Sequence, residues 1–112
     1  MSETLKKLRD VIEERRNAAD PKKSYVAKLF KQGRGKICQK VGEEAAEVIV
    51  AALEGKNNEL VEESADLLFH LSMLWADRKV EPWQVMEELE KRMGISGLDE
   101  KAARKSNDRD GE

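Results

Sequence analysis

Two short acidic runs are the residues best placed for chemistry: Glu43-Glu44-Ala45-Ala46-Glu47 and Glu62-Glu63-Ser64-Ala65-Asp66. On an α-helix, residues three apart sit about 60° apart around the axis, so Glu44 shares a face with Glu47, and Glu63 with Asp66. Neighbouring carboxylates repel, and helix stability gives no reason to pair them. A hard divalent cation such as Mg²⁺, which takes oxygen ligands, gives one reason for both pairs. Lys28, Lys36 and Lys40 cluster upstream of the first pair. Carboxylates beside lysines suit a metal-bound phosphate compound, with the metal bridging some phosphate oxygens and the lysines offsetting the charge of others. The competing reading is a solvated charged face, the common state of charged helical stripes. Two features weigh against it. The stripe Glu59, Glu63, Asp66 and His70 has no Lys or Arg at the i+4 positions that would pair it. Its spacing also recurs in the preceding segment.

The elements that must carry these residues read as helices. Leu5, Leu8, Val11 and Ile12 recur at helical spacing over about 4–18, and Asp20-Pro21 ends that segment. Ser24 is the expected N-cap of a short helix over 25–31, broken by Gly33-Arg34-Gly35. A long helix is expected over 36–54, with Gly55 at its C-terminal end. A second, over 59–77, is expected to be capped by Asn57 or Asn58. Pro82 opens a helix expected to end at Gly94, and a last short helix is expected over 98–105. The two long helices, joined by a short turn, are expected to pack antiparallel and bring the acidic pairs face to face. Val41, Ala45, Val48, Ile49, Ala52 and Leu53 form the apolar face of the first. Leu60, Val61, Leu67, Leu68, Phe69, Leu71, Met73, Leu74 and Trp75 occupy most of the second apart from its acidic stripe. A helix apolar over so much of its circumference must be buried on several sides.

Composition narrows the class. The 112 residues hold 21 basic and 23 acidic side chains, a net charge of −2, which gives no field favouring nucleic acid or an anionic membrane surface. Aromatic residues are 4 %, too few for an all-β fold. One cysteine, Cys38, excludes an internal disulfide and a Cys-rich zinc site. The N-terminal MSETLKKLRD lacks an apolar signal core, and the longest apolar run is too short to span a bilayer. The expectation is one cytoplasmic, all-α domain over 1–105 with a disordered polar tail over 106–112. At 39 % apolar content, a second copy is expected to help complete the core.

The motif Glu44-x-x-Glu47 followed by Glu63-x-x-Asp66 resembles the metal-binding signature of the all-α nucleoside-triphosphate pyrophosphatase superfamily. Within it, four segments in order and spacing resemble the phosphoribosyl-ATP pyrophosphohydrolase family: Ser24-Tyr25-Val26-Ala27-Lys28-Leu29-Phe30, Lys40-Val41-Gly42-Glu43-Glu44-Ala45, Ala65-Asp66-Leu67-Leu68-Phe69-His70 and Ile95-Ser96-Gly97-Leu98. Val26 and Phe69 depart from the threonine and tyrosine frequent in that family. The resemblance implies an antiparallel helical bundle completed by dimerisation. It implies Mg²⁺-dependent hydrolysis of phosphoribosyl-ATP to phosphoribosyl-AMP and pyrophosphate, the second step of histidine biosynthesis. Glu44, Glu47, Glu63 and Asp66 would be metal ligands, with Glu43, Glu44 and Glu47 as the catalytic carboxylates. Lys28, Lys36 and Lys40 would contact phosphates, and Lys101 and Arg104 would close over the ribose phosphate. The alternatives are a housekeeping nucleoside-triphosphate pyrophosphatase and a non-catalytic helical dimerisation module.

The remaining polar and aromatic residues have plainer readings. His70 is expected as a packed or hydrogen-bonded structural histidine, and Cys38 as a structural thiol. Trp75 and Trp83 are expected in core or dimer packing rather than base stacking. Tyr25 belongs to a segment linked to substrate.

Overall fold

The computed structural model describes residues 3–18 and 20–94. Among them the chain is all-α: α1 (Glu3–Ala18), α2 (Tyr25–Gln32), α3 (Arg34–Leu53), α4 (Asn57–Asp77) and α5 (Pro82–Arg92). It divides into two compact units, one spanning Ser2–Pro82 with α1–α4, the other beginning at Trp83 with α5. The expected helix over 98–105 and the tail over 106–112 lie outside the described residues.

Local chemistry sets the helix ends. The Ser24 hydroxyl accepts a hydrogen bond from the Ala27 N–H at 3.2 Å and caps α2 as expected. Gly33, at φ +99°, makes the break before α3 by itself, so α3 starts at Arg34 rather than at residue 36 and takes Gly35 into its first turn. At the other end of α3, Gly55 adopts φ +71°. The Lys56 N–H donates to the Ala51 carbonyl and the Gly55 N–H to that of Ala52, a Schellman closure. Lys56 therefore immediately precedes α4. Asn57 lies inside the helix, and neither it nor Asn58 is the cap expected from the sequence. The same backbone closure ends α4, but with Lys79 rather than glycine in the left-handed region at φ 60°.

Ile12, Val26, Leu29, Ile37, Met73 and Ala76 form the core of the first unit, one contribution or more from each of α1–α4. Burial of each large aliphatic chain stabilises by about 1.5–3 kcal/mol. Leu8, Phe30, Phe69 and Leu74 pack against this cluster. Arg16 donates to the Ala76 carbonyl at 3.2 Å and lies over the Phe30 ring at 4.3 Å, so one guanidinium joins α1, α2 and the end of α4. Arg9 forms a two-bond fork with the Glu81 carboxylate at 2.8 and 2.9 Å.

The core occupies the end of the α3–α4 pair where α3 begins and α4 ends. Toward the connecting turn the pair opens to solvent. Ile49, Val50 and Leu53 of α3 and Val61 and Leu68 of α4 are exposed, Leu53 by 83 %. The apolar face expected on α3 is thus buried only in part. Val41, Ala45 and Val48 are half-buried, Ile49, Ala52 and Leu53 are open, and the deeply buried residues are Ile37 and Ala51. α4 is buried on several sides only in its second half, where His70, Ser72, Met73 and Ala76 lie among α1, α2 and α3, while Val61 and Leu68 stay exposed. Cys38 is exposed, so it fills no core. Trp75 is half-buried and Trp83 exposed. No helix among the described residues is long and apolar enough to cross a membrane.

Candidate functional site

The three-residue turn from Glu54 to Lys56 sends α4 back along α3, and the two acidic runs meet. Glu44 of α3 and Glu63 and Asp66 of α4 each present one carboxylate oxygen, and the three oxygens all lie within 4.8 Å of one another. The donors are all hard oxygen, with neither sulfur nor nitrogen among them. That set fits an oxygen-seeking divalent cation such as Mg²⁺.

The electrostatics fit the same chemistry. Partial burial pushes the Glu63 carboxyl above its ordinary range, and the charges of Glu47, Asp66 and Glu44 push it further in the same direction. Glu63 is thus a carboxylate whose ionised form is disfavoured until positive charge arrives. Glu47 stands outside the three-oxygen group, yet its charge reaches Glu63.

Lys40 borders the cluster, with Nζ 3.6 Å from Glu44 and 3.4 Å from Glu43. Burial lowers its pKa, but Tyr25, Glu43 and Glu44 together outweigh burial and raise it, so the ammonium stays charged. Glu43 stands outside the three-oxygen group. Its carboxylate accepts from the Gln39 amide at 2.7 Å and from Lys40, which hold it below the usual carboxylate range. Lys36 is half-buried one turn earlier, and its charge also reaches Glu43. Lys28 is exposed on α2. Lys101 and Arg104 lie outside the described residues.

A second group belongs to this site. His70 is 5 % exposed, and its Nδ1 lies 2.7 Å from the backbone carbonyl of Asp66. Its Nε2 lies 2.8 Å from the Tyr25 hydroxyl. The imidazole meets the Tyr25 and Phe69 rings edge-on, at 5.7 and 5.2 Å between centroids. Burial raises the phenol pKa of Tyr25; Lys40 lowers it, and Glu44, Glu43 and Asp66 raise it. The first residue of α2 thus stands within the field of the acidic cluster. Tyr25 also lines an open depression of about 390 Å³ with Arg15, Lys23 and Ser24. Sequence reasoning placed His70 on the acidic stripe but not its partner, because the contact joins residues 45 apart.

Comparison with known proteins points the same way. The family model described as phosphoribosyl-ATP pyrophosphohydrolase matches residues 5–93. A protein of Paramagnetospirillum magneticum named phosphoribosyl-ATP pyrophosphatase is 57 % identical over 103 residues, covering 92 % of this chain and 94 % of its own. One of Rhodospirillum rubrum with the same name is 61 % identical over 90 residues, 80 % of this chain and 77 % of its own. A third, from a Janthinobacterium species, is 48 % identical over 95 % of this chain and 99 % of its own.

Proposed function

The chain belongs to the phosphoribosyl-ATP pyrophosphohydrolase family, and from that premise we propose that it hydrolyses phosphoribosyl-ATP to phosphoribosyl-AMP and pyrophosphate, a step of histidine biosynthesis, in the cytoplasm. The observation that carries this reading is the convergence of the Glu44, Glu63 and Asp66 oxygens on one point of the α3–α4 pair. Those three residues, with Glu47, would hold Mg²⁺, which would supply positive charge and Lewis-acid polarisation to the triphosphate.

The chain's own groups do the rest. Lys40, fixed beside Glu43 and Glu44, offsets phosphate charge, together with Lys36 and Lys28. A carboxylate oxygen of Glu43, Glu44 or Glu47 that is not engaged with the ion accepts the proton of the attacking water. The water oxygen bonds to phosphorus, the phosphoanhydride bond breaks, and pyrophosphate leaves. Lys101 and Arg104 contact the ribose phosphate. The open face of Ile49, Val50, Leu53, Val61 and Leu68 is covered by a second copy of the chain, which makes the working unit a homodimer or larger.

Phosphorus NMR with Mg²⁺ tests the assignment, using phosphoribosyl-ATP beside ATP and dCTP. Pyrophosphate from phosphoribosyl-ATP alone is the expected result. Cleavage of ATP or dCTP at comparable rates overturns the substrate assignment in favour of a general nucleoside-triphosphate pyrophosphatase. Cleavage of none overturns the enzymatic reading.

A further inference from the structure

The hydrogen bonds of His70 have a direction, and that direction reaches the site through Tyr25. A backbone carbonyl can only accept, so the 2.7 Å contact between Asp66 O and Nδ1 requires the proton on Nδ1. In the neutral imidazole Nε2 then carries a lone pair alone, and the hydrogen in the 2.8 Å contact must come from the Tyr25 hydroxyl. The phenol oxygen has thereby spent its only proton on a buried partner. Tyr25 is 46 % exposed and lines the depression with Arg15 and Lys23, so what its oxygen can offer a ligand there is lone pairs.

We propose that His70 positions Tyr25 as an obligate hydrogen-bond acceptor for a sugar hydroxyl of the substrate. Ionised phosphate oxygens are acceptors too, so Tyr25 cannot bind them and would repel them. A hydroxyl of a phosphorylated ribose fits both parts of the neighbourhood. Its phosphate suits the Arg15 and Lys23 side of the depression, and its hydroxyl donates to Tyr25. The inference rests on the phosphoribosyl-ATP reading for the identity of the sugar. The proton order along Tyr25, His70 and Asp66 does not depend on it.

Two experiments test the two halves. The chain has one histidine, so the two imidazole nitrogen signals need no residue assignment. Nitrogen-detected NMR at about pH 8, above the ordinary imidazole range, is expected to show Nδ1 protonated and Nε2 bare. The opposite tautomer overturns the proposal whatever the substrate proves to be. Kinetics then test the role. Tyr25→Phe removes the acceptor. His70→Asn keeps a donor near the Asp66 carbonyl and loses the acceptor for Tyr25, whereas His70→Gln restores a carbonyl oxygen near the Nε2 position.

Tyr25→Phe and His70→Asn are each expected to raise KM for phosphoribosyl-ATP by roughly 5-fold or more, the scale of one lost hydrogen bond. The double variant is expected to be no worse than Tyr25→Phe, and His70→Gln to recover part of the loss. Inhibition by pyrophosphate, which has no sugar hydroxyl, is expected to stay at its wild-type value in all of them. A multiplicative double variant, an unchanged KM in Tyr25→Phe, or an equal loss of pyrophosphate inhibition overturns the proposal. Failure of the wild-type chain to cleave phosphoribosyl-ATP overturns the functional reading instead, and the NMR result still decides the proton order.

Discussion

Glu63→Gln separates a metal site from a solvated acidic face, because only a metal site makes its effect on stability change with Mg²⁺. The wild-type chain holds three carboxylate oxygens within 4.8 Å, and partial burial and neighbouring charge raise the Glu63 pKa. A raised folded-state pKa means that the folded chain binds the Glu63 proton more tightly than the unfolded chain. Stability from this group is therefore present at low pH and is lost as pH rises through its folded pKa. Above that pH the ionised carboxylate opposes folding of the metal-free protein.

Glu63→Gln removes that opposition. At pH 7.5 after chelation, the variant is expected to melt above wild type, and the gap is expected to close as pH falls into the range where Glu63 takes up its proton. With Mg²⁺ at about 100 times Kd, wild type gains about 2.7 kcal/mol. That is about 10–20 °C at the usual 4–8 °C per kcal/mol for a domain near this size. Loss of one of the four proposed ligands weakens binding by about tenfold or more, which cuts the gain at the same Mg²⁺ concentration to about 1.4 kcal/mol or less. Calorimetric melts at fixed protomer concentration read both effects. A variant that melts below wild type without metal, or that gains as much as wild type from Mg²⁺, refutes the reasoning.

Three further outcomes follow from particular residues. The Ser72 hydroxyl is buried with no hydrogen-bond partner among the described residues, so Ser72→Ala is expected to raise stability by about 1 kcal/mol in a denaturant titration. Lys79 holds φ 60° at the end of α4, and Lys79→Gly is expected to add about 0.5–1 kcal/mol by relieving the Cβ crowding of that conformation. Leu53→Lys, at the most exposed large apolar side chain of the open face, is expected to shift sedimentation toward the monomer while far-UV circular dichroism stays helical. An unchanged sedimentation coefficient in that variant would remove this face from the assembly.

How far the sequence could be read depended on the range of the interactions involved. The pairings of Glu44 with Glu47 and of Glu63 with Asp66 are local, and the short connection around Gly55 was enough to expect the two helices to return on one another. The Ser24 cap was legible for the same reason. The asparagines before α4 were misread because a backbone closure through Gly55 and Lys56 already completes the turn, leaving no cap for Asn57 to make. Glu47 shares a face with Glu44, but spacing alone could not say that the converging set consists of Glu44, Glu63 and Asp66. The Tyr25–His70 bond depends on how α2 packs against α4, which periodicity does not encode. The open ends of α3 and α4 carried an apolar pattern that the sequence marks as buried, and one copy of the chain does not bury them.

The turn between α3 and α4 also bears on the order in which the molecule is made. Glu44 and Asp66 are brought together by a hairpin whose closure needs only the short segment between them, so the cost in chain entropy is small. Helical hairpins with local contacts form early, whereas Tyr25 reaches His70 across 45 residues. Folding is therefore expected to gather the repelling carboxylates before the Tyr25 ring reaches His70. Chelated protein should then refold more slowly than protein in Mg²⁺, and substitutions in the α3–α4 turn should change the refolding rate more than the unfolding rate.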